Sequence, residues 1–288
     1  MVTTISNEKL SVAIDSVGAE LLNIRANGIE YLWQGDPAFW PRRAPVLFPV
    51  VCACPGDAYI YRGKQYAMGC HGFARFQEFT LGFSDTIHAA YELVSSPTTR
   101  VNYPFDFKLS LEYRLDGNAI ITDHAVTNIG DDVMFFSLGI HPGFNTPLVP
   151  GDTKEDYDII LEREETATRR LMRETKTAYD LADEAFTGSH ISIDEGTFSR
   201  RAIVLSNIQS REVTLVSRVS RHGVTMRFND MPCLAIWSSS AAAPFVCLEP
   251  WCGLPARAGS SPALESKEGI RALAHGKTFA ARTVLSVF

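Results

Sequence analysis

No apolar stretch among the 288 residues approaches the roughly 20 needed to span a bilayer, so no membrane partner is expected. Met1 to Asp15 lacks the basic, then apolar, organisation of a secretory leader, which makes the cytoplasm the expected compartment. Clusters of Lys and Arg interleaved with aromatics are missing as well. The net charge is −6, and Arg42-Arg43, Arg169-Arg170 and Arg200-Arg201 are isolated pairs that read as solvated loop or edge positions. Nucleic acid is therefore excluded as a partner. Cysteine is sparse: Cys52, Cys54, Cys70, Cys233, Cys247 and Cys252 are too few and too scattered for the disulfide framework of a small secreted domain, so reduced thiols are expected. Cys52-x-Cys54 is too tight for a zinc pair, and neither a metal nor another cofactor is expected. Helical periodicity is scarce, confined to a turn near Asp36 to Trp40 and part of Asp152 to Glu184. That second stretch is charged and irregular, and reads mainly as loops and a hairpin.

Strand signals fill most of the rest. Leu10 to Ile14 and Glu20 to Arg25 flank Gly18, and Tyr59 to Tyr61 and Gln65 to Tyr66 flank a Gly63 turn. Phe79 to Phe83, His88 to Val94, Phe107 to Leu115, Ala119 to Asn128 and Val133 to Ile140 form a meander. Arg211 to Ser217, Val224 to Phe228, Cys233 to Ser238 and a closing strand at Phe279 to Phe288 complete the set. Many short strands at regular spacing predict an all-β fold, one large antiparallel β-sandwich formed by residues 1–288 as a single domain.

Two apolar runs each end in one ionisable residue followed by proline: Phe135 to His141-Pro142, and Phe245 to Glu249-Pro250. Proline holds the residue before it in an extended conformation. Strand alternation then puts Ser137 and Gly139 on the face of His141, leaving room beside it, and Phe245 and Cys247 on the face of Glu249. A histidine and a carboxylate on one sheet surface form a general acid–base pair. A histidine held by a backbone carbonyl is the alternative for His141, whereas a carboxylate ending so apolar a strand needs a partner or a purpose.

Four motifs occur in the order seen in the aldose 1-epimerase (galactose mutarotase) superfamily: Trp40-Pro41-Arg42-Arg43 through Leu47-Phe48-Pro49, His71-Gly72-Phe73-Ala74-Arg75, Gly139-Ile140-His141-Pro142-Gly143-Phe144-Asn145, and Cys247-Leu248-Glu249-Pro250-Trp251-Cys252-Gly253. The chain resembles the bacterial LacX-type branch over nearly its whole length. The resemblance implies a β-sandwich with a sugar cleft and interconversion of α and β anomers of a hexose or related aldose. His141 would act as general acid, Glu249 as general base, and His71 would contact the sugar. Arg75, Arg43, Asn145, Trp237 and Trp251 are further candidate sugar contacts; Arg75 could equally pair with Glu78, and the tryptophans could equally be core. The chain would act as a monomer or homodimer on a small-molecule sugar. Free histidine and glutamate titrate near pH 6.5 and 4.3, which leads to the expectation of a bell-shaped rate profile between those values.

Cys52-Ala53 stands where the family commonly has Gly-Arg, removing a guanidinium that Arg43 or Arg75 would have to replace. Leu254 to Arg257 also lacks the family's acidic residue after the Glu-Pro-Trp motif. Two other functions therefore stay open: a hexose-6-phosphate 1-epimerase, which needs converging basic residues, and a non-catalytic carbohydrate-binding module.

Overall fold

The computed structural model describes residues 1–170, 183–199, 202–257 and 259–288. Its centre is a 15-stranded antiparallel sheet. One half keeps the first four strands of the expected meander, Thr80–Ser84, His88–Val94, Phe107–Asp116 and Ala119–Asn128, but their next neighbour is the closing strand Thr278–Val287 and not Val133 to Ile140. The closing strand bridges to Gly223–Arg227, Glu212–Ser217, Tyr157–Arg170, Ile203–Ser206, Cys233–Trp237 and Phe245–Cys252 in the other half. Leu138–Ile140 and Val46–Leu47 close that edge. A separate four-stranded sheet, from Val2–Ser6 to Ile29–Glu30, covers part of the molecule.

The strict alternation of Phe107–Asp116 and Ala119–Asn128 places every second residue inside. One contiguous apolar cluster takes Leu109 and Leu111 from the first half and Leu234, Ile236, Val246 and Leu248 from the second. A single sheet can share one core between its halves only by wrapping around it, which meets the sandwich expectation. Aromatic rings of Phe48, Tyr103, Phe107 and Phe136 pack edge-on and tilted at its centre.

Phe245–Cys252 is buried along its entire length, as a strand covered on both faces must be. Val246, Leu248 and Cys252 enter the main core, while Phe245, Cys247 and Trp251 belong to two smaller clusters on the opposite face. Glu249 shares that second face by strand parity.

Several expectations change in detail. Val133 to Ile140 is two strands: the Ser137 N–H donates to the Pro49 carbonyl (2.7 Å), so Met134–Phe136 pairs with Arg271–Leu273 while Leu138–Ile140 joins the large sheet. Among the described residues, helix within Asp152 to Glu184 is one turn at Lys154–Asp156, followed by the hairpin of Tyr157–Arg170 and Glu184–Ser192; residues 171–182 lie outside the described residues, as do Arg200 and Arg201. Arg170 is not a solvated edge residue. It is 9% exposed and bonds Asp183, Glu268 and the Ser206 hydroxyl, because a strand threaded through a sheet buries every second side chain.

Candidate active site

The pairing register builds the site. Gly139 lies opposite Trp251, and Gly143 lies opposite Cys247. Between those two pairs the same register sets His141 opposite Glu249, where His141-Pro142 interrupts the ladder. Cross-strand partners carry their side chains on the same face. His141 Nε2 stands 3.1 Å from Glu249 Oε2, with 7% and 1% of the two residues exposed. On the far side of Glu249 its neighbour is Ala235, whose small side chain leaves the carboxylate uncrowded. Gly139 does make room, though for a different group than expected: a Cβ there would sit 2.6 Å from the Trp251 ring, so the indole fills the space.

A loop holds the imidazole in place. The Arg43 carbonyl accepts from the Gly143 N–H (2.8 Å), and the Pro45 carbonyl accepts from the His141 N–H (3.1 Å). The Glu20 carboxylate accepts the N–H groups of Arg43 and Ala44, both at 2.9 Å. Trp40, fixed by the Trp33 indole donating to its carbonyl, stacks on His141 with ring centroids 4.8 Å apart. Trp237 meets both rings edge-on, at 5.5 Å from Trp40 and 5.4 Å from His141. Trp40 and Trp237 are half-buried and offer indole surface at the mouth.

His71 completes the group. Its backbone is left-handed (φ 64°), and Cys52 is left-handed too (φ 57°). The His71 N–H donates to the Cys52 carbonyl (3.0 Å), and the Cys52 N–H donates to His71 Nδ1 (3.1 Å). A backbone N–H can only donate, so Nδ1 is unprotonated and Nε2 carries the hydrogen. His71 is thus a fixed neutral donor, its ring edge-on to His141 at 5.5 Å. Burial, with the charges of His141 and Arg75, keeps it well below the ordinary histidine range.

The protonation order differs from that of the free side chains. Burial drives Glu249 well above the ordinary carboxylate range, opposed by the Trp251 indole, and lowers His141 to about 3. Both groups shed charge in a water-poor site.

The remaining candidates divide. Trp251 and Trp237 join the pair. Arg75 lies at its flank: its charge disfavours a cation on His71 and His141, its Nη2 donates to the Cys70 carbonyl (2.7 Å), and its Nε is buried without a partner. Glu78 instead faces the N-terminal amine at 3.9 Å. Arg43 supplies the carbonyl that anchors Gly143, and its side chain lies along Gly35 with Nε unpartnered. Asn145 is engaged elsewhere, its amide donating to the Glu30 and Leu32 carbonyls at 2.8 and 3.1 Å and tying the small sheet to the large one. Two contributors were not among the candidate site residues. Trp40 opens the first of the four motifs and stood there only as part of the resemblance, and Lys154 is a lysine in a charged stretch. The buried Lys154 ammonium donates to the Ser238 hydroxyl and to the Ser240 and Ala243 carbonyls, pinning the loop between Trp237 and Phe245.

The wrapped antiparallel sheet that carries this buried His–Glu pair is the fold of galactose mutarotase-like proteins. The aldose 1-epimerase family model matches residues 1–286, and the chain belongs to that family. It is 35% identical over 277 residues to the chromosomal LacX protein of Lactococcus lactis subsp. lactis, covering 93% of each chain. Among solved structures, a galactose mutarotase related enzyme from Lactobacillus acidophilus superposes with a TM-score of 0.94 at 31% identity, covering 100% of this chain and 97% of that one. A galactose mutarotase-like protein from Lactobacillus casei gives 0.93 at 29% identity, covering both chains completely.

Proposed function

We propose that the chain is an aldose 1-epimerase that interconverts the α and β anomers of a free aldose, with His141 and Glu249 moving the protons. The observation that carries this reading is the cross-strand pair itself: two titratable groups 3.1 Å apart, buried and opposite in register, beneath half-buried tryptophans.

The chemistry follows from the proton count. Ring opening removes a proton from the O1 hydroxyl and delivers one to the ring oxygen. For Glu249 to accept, it must be ionised, with the proton of the pair on His141. A bound sugar favours that arrangement, because hydroxyl donors and the Trp251 N–H stabilise a carboxylate. The Trp40 face stabilises an imidazolium. Glu249 then takes the O1 proton while imidazolium gives its own to the ring oxygen. The open-chain aldehyde is left beside a neutral imidazole and a carboxylic acid. Rotation about C1–C2 and closure by the reverse transfers give the other anomer. His71 Nε2–H is a neutral donor for a sugar oxygen, and the unpartnered Nε groups of Arg43 and Arg75 can stand in for the guanidinium lost at Ala53.

One observation favours phosphorylated sugars as a second reading. Arg42 and Arg75 both lie over the Phe76 ring, at 4.5 and 4.8 Å, bringing two guanidinium groups together at the flank of the site. Arg257, by contrast, is committed to Asp183 and Glu268. Polarimetry on freshly dissolved α-glucose, α-galactose and their 6-phosphates decides. Acceleration with free sugars supports the first reading, acceleration confined to phosphates supports the second, and binding without acceleration would leave a carbohydrate-binding module.

A further inference from the structure

Cys247 has no part in the proton transfers, yet it lies against the pair. The Cys247 sulfur, a ring nitrogen of His141 and a carboxylate oxygen of Glu249 all fall within 4.8 Å of one another, and all three residues are buried. Cys247 and Glu249 are two apart on one strand and share a face, while His141 comes from the neighbouring strand, so spacing along the chain could not reveal the trio. Tetrahedral zinc with Zn–S near 2.3 Å and Zn–N or Zn–O near 2.1 Å needs its ligands roughly 3.3–3.6 Å apart. The trio is therefore about one side-chain adjustment from that geometry.

A second, independent feature points the same way. Glu249 is 1% exposed, and its Oε2, 3.1 Å from His141 Nε2, is a buried oxygen with no hydrogen-bond partner among the described residues. Thiolate, carboxylate and neutral imidazole bring two negative charges, so a divalent cation leaves the buried site neutral. A set of three protein ligands matches a zinc site that keeps one exchangeable position for a further ligand.

We propose that His141, Cys247 and Glu249 form a binding site for a thiophilic divalent cation such as Zn²⁺, which competes with the sugar and switches the site off. Binding releases two protons, one from the Cys247 thiol and one from the His141–Glu249 pair, and occupies the lone pairs that ring opening requires. The inhibitory consequence rests on the proposed function; the binding itself does not.

The test titrates the metal-free chain with Co²⁺ and then Zn²⁺. One Co²⁺ per chain is expected, with a near-ultraviolet thiolate-to-cobalt charge-transfer band that Zn²⁺ abolishes by displacement. The band should vanish in Cys247→Ala and Cys247→Ser, persist in Cys52→Ala and Cys70→Ala, and require on the order of tenfold more metal or greater in Glu249→Gln. Circular dichroism and melting identify any variant that has lost its fold, and the Glu249→Gln shift then carries the assignment. A missing band in wild type, or one that survives in folded Cys247→Ala, overturns the site. In parallel polarimetry, Zn²⁺ should raise the apparent KM, with reversal by a chelator. Acceleration that is insensitive to bound Zn²⁺ overturns the switch. A chain that binds one Zn²⁺ but accelerates no sugar upholds the site and overturns the proposed function instead.

Discussion

His71→Asn separates binding from chemistry. Asparagine tolerates the left-handed backbone that His71 adopts at φ 64°. Its side-chain oxygen can occupy the place of Nδ1 and accept the Cys52 N–H, now held at 3.1 Å. The substitution therefore keeps the anchor and deletes only the outer Nε2–H. A hydrogen bond between neutral groups contributes about 0.5–1.5 kcal/mol, which is roughly a two- to thirteenfold loss in kcat/KM. The loss should fall mainly on KM, since a donor to a resting hydroxyl serves sugar and transition state alike. Polarimetric progress curves over a range of sugar concentrations measure the split, and the melting temperature should move by only a few degrees. Long-range ¹⁵N–¹H spectra of wild type should place the His71 hydrogen on Nε2 throughout the neutral range. An undiminished kcat/KM would show that the donor is not used. A thousandfold fall in kcat would give His71 a share in proton transfer and refute the division of labour.

Other expectations follow from the same contacts. Gly72→Ala should be severe, because φ is +69° and a Cβ would lie 2.2 Å from the Phe48 carbonyl that receives the Phe73 and Ala74 N–H groups; we expect about 3 kcal/mol or more, a drop on the order of 6–12 °C in Tm. Gly63→Ala, at φ +75° in open space, should cost about 1 kcal/mol, and equal losses in the two variants would contradict the clash. His124 is buried, bonded to Thr283 and lowered to about 4, so the unfolded chain binds its proton first and stability is lost as pH falls from 6.5 towards 4. Urea unfolding at pH 7 and 4.5 should show His124→Gln escaping about 2–3 kcal/mol of that loss, and parallel losses in both proteins would remove His124 as the cause. The rate profile should hold its plateau well below pH 6 and fall on an acid limb near pH 3, where His141 takes a second proton. A limb near 6.5 would mean that the imidazole titrates as if it were in water.

Much of the fold was legible because alternation is local. Phe107 to Asn128 announces its strands and buried face residue by residue, and proline after His141 and Glu249 marks both strand ends. The break at Ser137 was invisible, since it depends on a carbonyl brought in from Pro49. Register was equally hidden: nothing in either strand says that the ladder pairing Gly139 with Trp251 sets His141 against Glu249. Residue type located the pair but not its burial, which raises the carboxyl and lowers the imidazole away from their free ranges. The role of Cys52 lies in its backbone, which no side-chain reading reaches. Arg170 looked like a surface residue because its acidic partners, Asp183 and Glu268, are distant in the chain.

The central claim is that one imidazole and one carboxyl group share the work of opening the sugar ring. Initial mutarotation rates for wild type, His141→Asn and Glu249→Gln, each with its Tm, test it most directly. Each folded variant should lose at least about a hundredfold in kcat, the usual contribution of a positioned acid or base. Folded variants that retain rates within a few-fold of wild type would contradict the account.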